Sequence, residues 1–353
     1  MITDIRLQDF RSYKDSAYDL GEGVNIIVGP NASGKTNLLE SILVIGLGSS
    51  YRASTAEQIR FGRPWARLEA HTSSGDIRAA KLQLIADNRA IKSFEIDSKP
   101  YQRLPLAKTL PVVLFEPQHL LMLTGRPDLR REFMDDLLEQ TTPGFGATRR
   151  AYKRALHQRN SLLKKSQDND LQQLFAWNVR VSELGAQLVG PRVELTKKFN
   201  NQIAELYQQL SKSSDKLELH YSSSISTNNY ASNLLKKLEA SVQLDIARGF
   251  TAHGPHRDDM EVTLNKRKAQ DTASRGEIRT ILLSLKINEL HLLEKLRGVK
   301  PILLLDDVFS ELDGARRKAL TGYLQDYQTF ITTTDADLVV HNFAQKCHII
   351  SMQ

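Results

Sequence analysis

A single cysteine, Cys347, stands in 353 residues. That excludes an intramolecular disulfide framework and every multi-cysteine zinc pattern, and it fits a reducing, cytoplasmic setting. No apolar run approaches the roughly 18 residues a membrane helix needs; the longest candidate is Ile42 to Leu47. The opening residues Met1-Ile2-Thr3-Asp4-Ile5-Arg6 are charged early and predict a strand, so no signal peptide is visible. Internal repeats are absent, and the polar tract from Ser222 to Asn229 is too short to act as a low-complexity segment. Acid is missing from one long stretch. Between Glu139 and Asp168 there is none, while Arg149, Arg150, Lys153, Arg154, Arg159, Lys164 and Lys165 all fall inside it. The rest is ordinary for a globular chain, 41% hydrophobic and 25% charged. Its length suggests about two domains. The net charge of +7 favours an anionic partner without choosing nucleic acid over a lipid surface.

Against these absences stands one octapeptide, Gly29-Pro30-Asn31-Ala32-Ser33-Gly34-Lys35-Thr36. It reads Gly-x-x-x-x-Gly-Lys-Thr and follows the apolar run Val24 to Val28. After it, Leu38, Leu39, Ile42 and Leu43 repeat with helical spacing. Strand, loop and helix in that order are the context of a phosphate-binding P-loop. The glycines let backbone N–H groups curl around a polyphosphate, and the helix N-terminus adds partial positive charge. Lys35 would reach the β- and γ-phosphates, and Thr36 would offer its hydroxyl to Mg²⁺. ATP and Mg²⁺ are the expected ligands. The competing reading, a glycine turn capping an ordinary helix, does not require the whole octapeptide.

A second anchor lies far downstream. Pro301-Ile302-Leu303-Leu304-Leu305-Asp306-Asp307 is a buried-strand pattern that ends in two carboxylates. At the carboxyl end of a parallel strand such acids face the crevice where α/β folds bind ligands. Asp306 is then the Walker B residue for Mg²⁺, and Asp307 is placed to polarise the water that attacks the γ-phosphate. Shortly before it, Ala273-Ser274-Arg275-Gly276-Glu277 resembles an ABC-type signature, whose commoner form is Leu-Ser-Gly-Gly-Gln. In that superfamily the serine and following glycine, here Ser274 and Gly276, reach across a dimer interface to the partner's nucleotide. The same residues also read as a plain N-cap with an acidic first turn.

Residues 1–125 are β-rich around the P-loop helix, with strands expected over Ile2 to Phe10, Ala66 to Ala70, Ala79 to Leu84, Lys92 to Ile96 and Pro111 to Phe115. From 126 to 248 long helical patterns dominate: Arg130 to Gln140, Arg149 to Lys165, Leu171 to Val189 and Arg192 to Leu210, broken at Gly144 and Gly190-Pro191. From 249 to 353 the α/β texture returns. The fold class is therefore α/β, one ATPase core (1–125 and 249–353) interrupted by a helical lobe (126–248). Gln118 stands where ABC-type ATPases place a Q-loop glutamine, and a turn glutamine without function fits as well. Ser310-Glu311-Leu312-Asp313 resembles the D-loop. Phe330 to Asp335 resembles the following strand and switch, with Thr334 or Asp335 in the switch role. On the basic helix, Arg149, Arg150, Lys153 and Arg154 are the candidates for the DNA backbone; a solvated charged face is the ordinary alternative. Arg11 and Tyr13 stand as contacts to phosphate and base, or as packing residues.

Several further segments resemble the RecF family of SMC-like ABC-type ATPases: Ile5 to Tyr13, Phe115 to Leu121 and Asp128 to Asp135. The most specific is Thr251-Ala252-His253-Gly254-Pro255-His256-Arg257-Asp258-Asp259. The resemblance spans nearly the whole chain. It implies an ABC/SMC-head-like core, ATP-dependent homodimerisation on DNA, RecR as partner, RecO in the same pathway and loading of RecA at single-strand gaps. It also implies roles in replication restart and SOS induction. Arg275 and Glu277 depart from the commoner signature, and Asp307 replaces the glutamate usual in transporters, which implies slow hydrolysis. Two other classes share the nucleotide motifs: a transporter ATPase subunit, and a DNA-binding scaffold that uses ATP only structurally.

Overall fold

The computed structural model describes residues 1–85, 89–165, 171–335 and 347–352. The chain forms two compact units, Met1–Pro117 with Glu289–Gln353, and Gln118–Asn288. The first unit is two sheets with one helix packed against both. Five parallel strands run in the order Cys347–Ser351, Val24–Val28, Thr329–Thr333, Ile302–Asp306, Val112–Phe115. Val24–Val28, Ile302–Asp306 and Val112–Phe115 have the Val, Ile and Leu content of strands buried on both faces, whereas the edge strand Cys347–Ser351 is largely exposed. Six antiparallel strands run in the order Tyr13–Asp19, Ile2–Phe10, Trp65–Thr72, Ile77–Leu84, Ala90–Ile96, Lys99–Tyr101. Trp65–Thr72 alternates between buried and at least partly exposed residues along its length, as an antiparallel strand with one covered face does. The helix Lys35–Leu47 is apolar on every side and buried from Leu38 to Gly46. Leu38, Leu39 and Ile42 share one core with Ile5 and Leu7 of the antiparallel sheet and with Ile27, Leu304 and Phe330 of the parallel one.

The second unit contains the long helices Pro127–Thr141, Phe145–Lys165 and Leu171–Asn200, and a small antiparallel sheet, Arg267–Lys268, Asp259–Leu264, Leu217–Ser222. Its two family-like segments are tied to each other. Arg130 forms a bidentate pair with Asp259 at 2.7 and 2.8 Å, and Arg131 donates to the Asp258 carbonyl at 2.6 Å. Arg192 pairs with Asp135 at 2.8 and 2.9 Å and donates to the Pro255 carbonyl at 2.8 Å. Arg159, fully buried, donates to Asp245 at 2.8 Å and to the Thr251 hydroxyl at 2.7 Å.

Three features depart from the sequence expectations. The unit boundaries fall at 117/118 and 288/289 rather than near 125 and 249, because Asp259–Leu264 pairs with Leu217–Ser222 over six residues and binds that segment to the helical unit. Gly190-Pro191 breaks nothing: one helix runs through it from Leu171 to Asn200. Proline costs an interior hydrogen bond, yet buried Val189, Arg192, Leu195, Thr196 and Phe199 hold the turns on either side. The basic helix does not show one continuous cationic face. Arg159 is in the core, and Arg149 lies against Asp135, Asp136 and Glu139 at 3.1, 2.7 and 3.0 Å.

His256 sits inside the clasp. Its Nε2 lies 3.1 Å from the Thr251 carbonyl and its Nδ1 2.7 Å from the Tyr152 hydroxyl. A carbonyl only accepts, so the neutral ring donates from Nε2 and accepts at Nδ1. Gly254 holds φ at 131°, and a side chain there would meet the Tyr152 hydroxyl at 2.9 Å. Burial pushes the His256 pKa down to about 4. The unfolded chain takes up this proton near pH 6.5, so the folded state has its full stability above that value and loses it as pH falls toward 4. At about 1.4 kcal/mol per pH unit, the loss reaches about 3 kcal/mol. Urea unfolding at pH 7 and pH 4.5 should show the stability gap between the wild type and His256→Gln narrowing at the lower pH.

Candidate nucleotide site

The strand Val24–Val28 is hydrogen-bonded on both sides, to Thr329–Thr333 and Cys347–Ser351, and delivers the chain rigidly into the loop Gly29–Gly34. Gly29 admits no side chain: an added Cβ would meet the Met352 carbonyl and the Ser33 hydroxyl, both at 2.8 Å. Ala32 and Gly34 take positive φ, 67° and 102°. This alternation of backbone hand turns successive N–H groups into one anion-binding concavity. Lys35 Nζ donates to the carbonyls of Gly29 and Pro30 at 2.8 and 2.9 Å. Among the described residues, the buried Ser33 hydroxyl has no hydrogen-bond partner. An orphaned hydroxyl and an ammonium bonded to its own loop's carbonyls are donors fitted to phosphate oxygens. Tyr13 donates to the Gly34 carbonyl at 3.0 Å and so braces the loop from the antiparallel sheet.

The two anchors meet. Thr36 Oγ1 donates to Asp306 Oδ1 at 3.0 Å, across 270 residues of sequence. Thr332 Oγ1 donates to the same oxygen at 2.8 Å, and the Tyr51 hydroxyl donates to Oδ2 at 3.1 Å. A buried carboxylate is an acceptor only, and here hydroxyls surround it. This set of oxygens, one carboxylate and a P-loop threonine, suits a hard cation such as Mg²⁺. Asp307 follows in the left-handed region, φ 57°, with its N–H donated to Thr332 Oγ1 at 2.9 Å. That φ turns the chain from the strand into the short helix Val308–Glu311.

Arg11 is engaged within the fold. Its guanidinium pairs with Glu40 at 2.7 and 2.8 Å and donates to the Glu57 carbonyl at 2.9 Å. Of the two roles open to Arg11, the packing one is what these bonds describe. Glu40 lies on the P-loop helix with no exposed surface, and it also accepts from Ser50 at 2.5 Å. Burial of such a carboxylate requires these partners. Sequence reasoning missed Thr332, Tyr51 and Glu40. The run Thr332-Thr333-Thr334 at the end of a core strand was a usable signal. Tyr51 and Glu40 carried none.

In the second unit, Gln118 is exposed in the 3-10 turn Pro117–His119. Ser274 forms a capping box with Glu277: the Ser274 N–H donates to the Glu277 carboxylate at 2.6 Å, and the Glu277 N–H to Ser274 Oγ at 3.3 Å. The N-cap reading of this motif is thus real, and it leaves Ser274 exposed with Gly276 in the first turn of Arg275–Arg297. Lys153 and Arg154 are exposed, while Arg150 is half-buried. In the first unit, Asp313 caps Gly314–Leu324 through the Arg316 N–H at 2.9 Å. Asp335 donates its N–H to Thr333 Oγ1 at 3.1 Å, and exposed Thr334 precedes it. Thr332 rather than Thr334 touches the Walker B carboxylate. Among the described residues, no group of three or more His, Cys, Asp or Glu is arranged to hold a metal, and no helix is long and apolar enough to cross a membrane.

The chain is similar to known proteins in sequence and in fold. The family model of the RecF/RecN/SMC N-terminal domain matches residues 1–353. The DNA replication and repair protein RecF of Lactobacillus gasseri is 34% identical over 349 residues, 95% of this chain and 93% of that protein. That of Heliobacterium modesticaldum is 34% identical over 343 residues, covering 94% and 92%. Among solved structures, the recombination mediator protein RecF-ATPrS in the RecFOR pathway superposes with a TM-score of 0.87 at 28% identity, over 96% of this chain and 94% of that one. An Smc head bound to the C-winged helix domain of ScpA, 16% identical, shares the fold at a TM-score of 0.56, over 100% and 94%. By family model, by curated relatives and by fold, the chain belongs to the RecF family of SMC-like ATPases.

Proposed function

We propose that the chain binds ATP with Mg²⁺ at Gly29–Thr36 and Asp306, and hydrolyses it slowly as a switch that closes and opens a homodimer on DNA during recombinational repair and replication restart. The observation that carries this reading is the Thr36–Asp306 hydrogen bond beside a P-loop whose lysine and buried serine fit phosphate. The relatives named for DNA replication and repair support it, as do RecF structures with ATP and ATPrS. They favour it over a transporter subunit.

In this reading Lys35 and the loop N–H groups hold the β- and γ-phosphates, and Thr36 with Asp306 holds the ion. Mg²⁺, when bound, neutralises charge on those phosphate oxygens. Asp307 orients the attacking water. Its side chain is one carbon shorter than glutamate, which suits a timed switch. Ser274 and Gly276 serve the nucleotide of a second copy, so nucleotide controls dimerisation. Lys153 and Arg154 supply sequence-independent contacts to the DNA backbone. RecR is the expected partner, with RecO in the same pathway, RecA loading at gaps as the outcome, normal SOS induction as a consequence, and a cytoplasmic location.

Lys35→Ala should abolish nucleotide binding measured with a fluorescent ATP analogue. Asp307→Asn should bind normally but release phosphate at least tenfold more slowly, a barrier increase of about 1.4 kcal/mol. Normal phosphate release by Asp307→Asn would remove Asp307 from the chemistry. In sedimentation with Mg·ATP, with and without duplex DNA, the wild type should dimerise only with nucleotide, and Ser274→Arg should stay monomeric. An ATP-indifferent monomer in both would overturn the dimer switch. For DNA, replacing both Lys153 and Arg154 by alanine should flatten the log–log salt dependence of binding by about two. Arg149→Ala should lower the unfolding midpoint instead, since Asp135, Asp136 and Glu139 each lose an ion pair.

A further inference from the structure

The Walker B carboxylate is held from both sides, and the hold on Oδ2 comes from a residue that none of the nucleotide motifs includes. Oδ1 accepts from Thr36 and Thr332, whereas among the described residues the hydrogen-bond donor to Oδ2 is the Tyr51 hydroxyl alone, at 3.1 Å. Tyr51 is placed there by its chain neighbours. Ser50 donates to Glu40 at 2.5 Å and accepts from the N–H groups of Arg52 and Ala53 at 3.1 and 3.2 Å. Arg52 donates to Asn37 Oδ1 at 2.9 Å and lies 3.6 Å from Glu40. Glu40 and Asn37 both belong to the helix that begins at Lys35. The loop is thereby stapled to the P-loop helix on each side of Tyr51, and the tyrosine ring packs against the core of the first unit.

Rotation of a carboxylate about its last torsion is broad and soft, so Oδ2 is free to swing unless something fixes it. We infer that Tyr51 is a positioning residue for the Mg²⁺ site, its hydroxyl holding Asp306 in the orientation that ion binding needs. This rests on the reading of Gly29–Thr36 and Asp306 as the ATP·Mg²⁺ site. Outer partners of metal-ligating carboxylates commonly set metal affinity by about 10–100-fold. The pairing is also directional. A phenol donates one proton and an ionised carboxylate donates none, so Tyr51 serves Asp306 without competing for the cation.

The test is the affinity of full-length wild type and Tyr51→Phe for a fluorescent ADP analogue, titrated with free Mg²⁺ and repeated in EDTA. Tyr51→Phe keeps the ring and deletes one hydroxyl. Its Mg²⁺ midpoint should rise about tenfold or more, while its affinity in EDTA stays within twofold of wild type and its melting temperature in EDTA is unchanged. Superposable Mg²⁺ titrations would overturn the inference. So would an equal loss of affinity with and without Mg²⁺, which would assign the phenol to the nucleotide pocket. A lower melting temperature with an intact Mg²⁺ response would assign it to packing and overturn the inference as well. A wild type that binds no nucleotide at all would instead defeat the ATP reading, and that outcome is separate from the other three.

Discussion

Everything at the nucleotide site depends on burying one helix. Lys35–Leu47 is packed against both sheets of the first unit, and its apolar residues share one core with strands of each. Such a helix cannot rotate or slide without opening that core, where each fully buried Leu or Ile contributes about 1.5–3 kcal/mol. Its first turn therefore has a fixed place relative to Ile302–Asp306, and the 3.0 Å bond from Thr36 to Asp306 follows from packing. The phosphate loop inherits the same rigidity from the other direction. Val24–Val28 is paired on both sides, and Tyr13 ties Gly34 to the antiparallel sheet.

A helix buried all round has a cost, and Glu40 shows how it is met. A carboxylate with no exposed surface in the middle of an apolar helix would be strongly destabilising alone. Arg11 gives it a bidentate pair, and Ser50 and Arg52 approach from the loop that follows the helix. The buried charge thus organises the loop after the P-loop helix. In doing so it brings Tyr51 to Asp306. A residue that looks like a core defect becomes an anchor for the segment that carries Tyr51.

The second unit follows a different logic. Its family-like segments, Asp128–Asp135 and Thr251–Asp259, supply arginine–carboxylate pairs and carbonyl contacts that close on each other. These residues are specific in sequence because each guanidinium needs a particular acceptor at a particular distance, which aliphatic packing does not demand. His256 belongs to this structural set: its two ring nitrogens are both satisfied by the clasp.

How much of this was legible in the sequence follows from the range of each signal. The octapeptide Gly29–Thr36 and the run Ile302–Asp307 are local patterns, and the strand–loop–helix order around the first is the order observed. Lys153 and Arg154 are exposed as a helical face predicts, but Arg149 and Arg159 on the same helix are turned to account by carboxylates distant in sequence, Asp135 and Asp245 among them. Helical periodicity reports which side a residue takes, and it contains no information on what waits there. Pro191 is the converse case. The local rule says break, and the buried residues around it hold the helix whole. Tyr51 marks the limit of sequence reading: it lies in a loop without periodicity, and its partner is 255 residues away. Its place depends on Glu40 accepting from Ser50 while Arg52 lies 3.6 Å from the same carboxylate, a three-body arrangement that no spacing rule encodes.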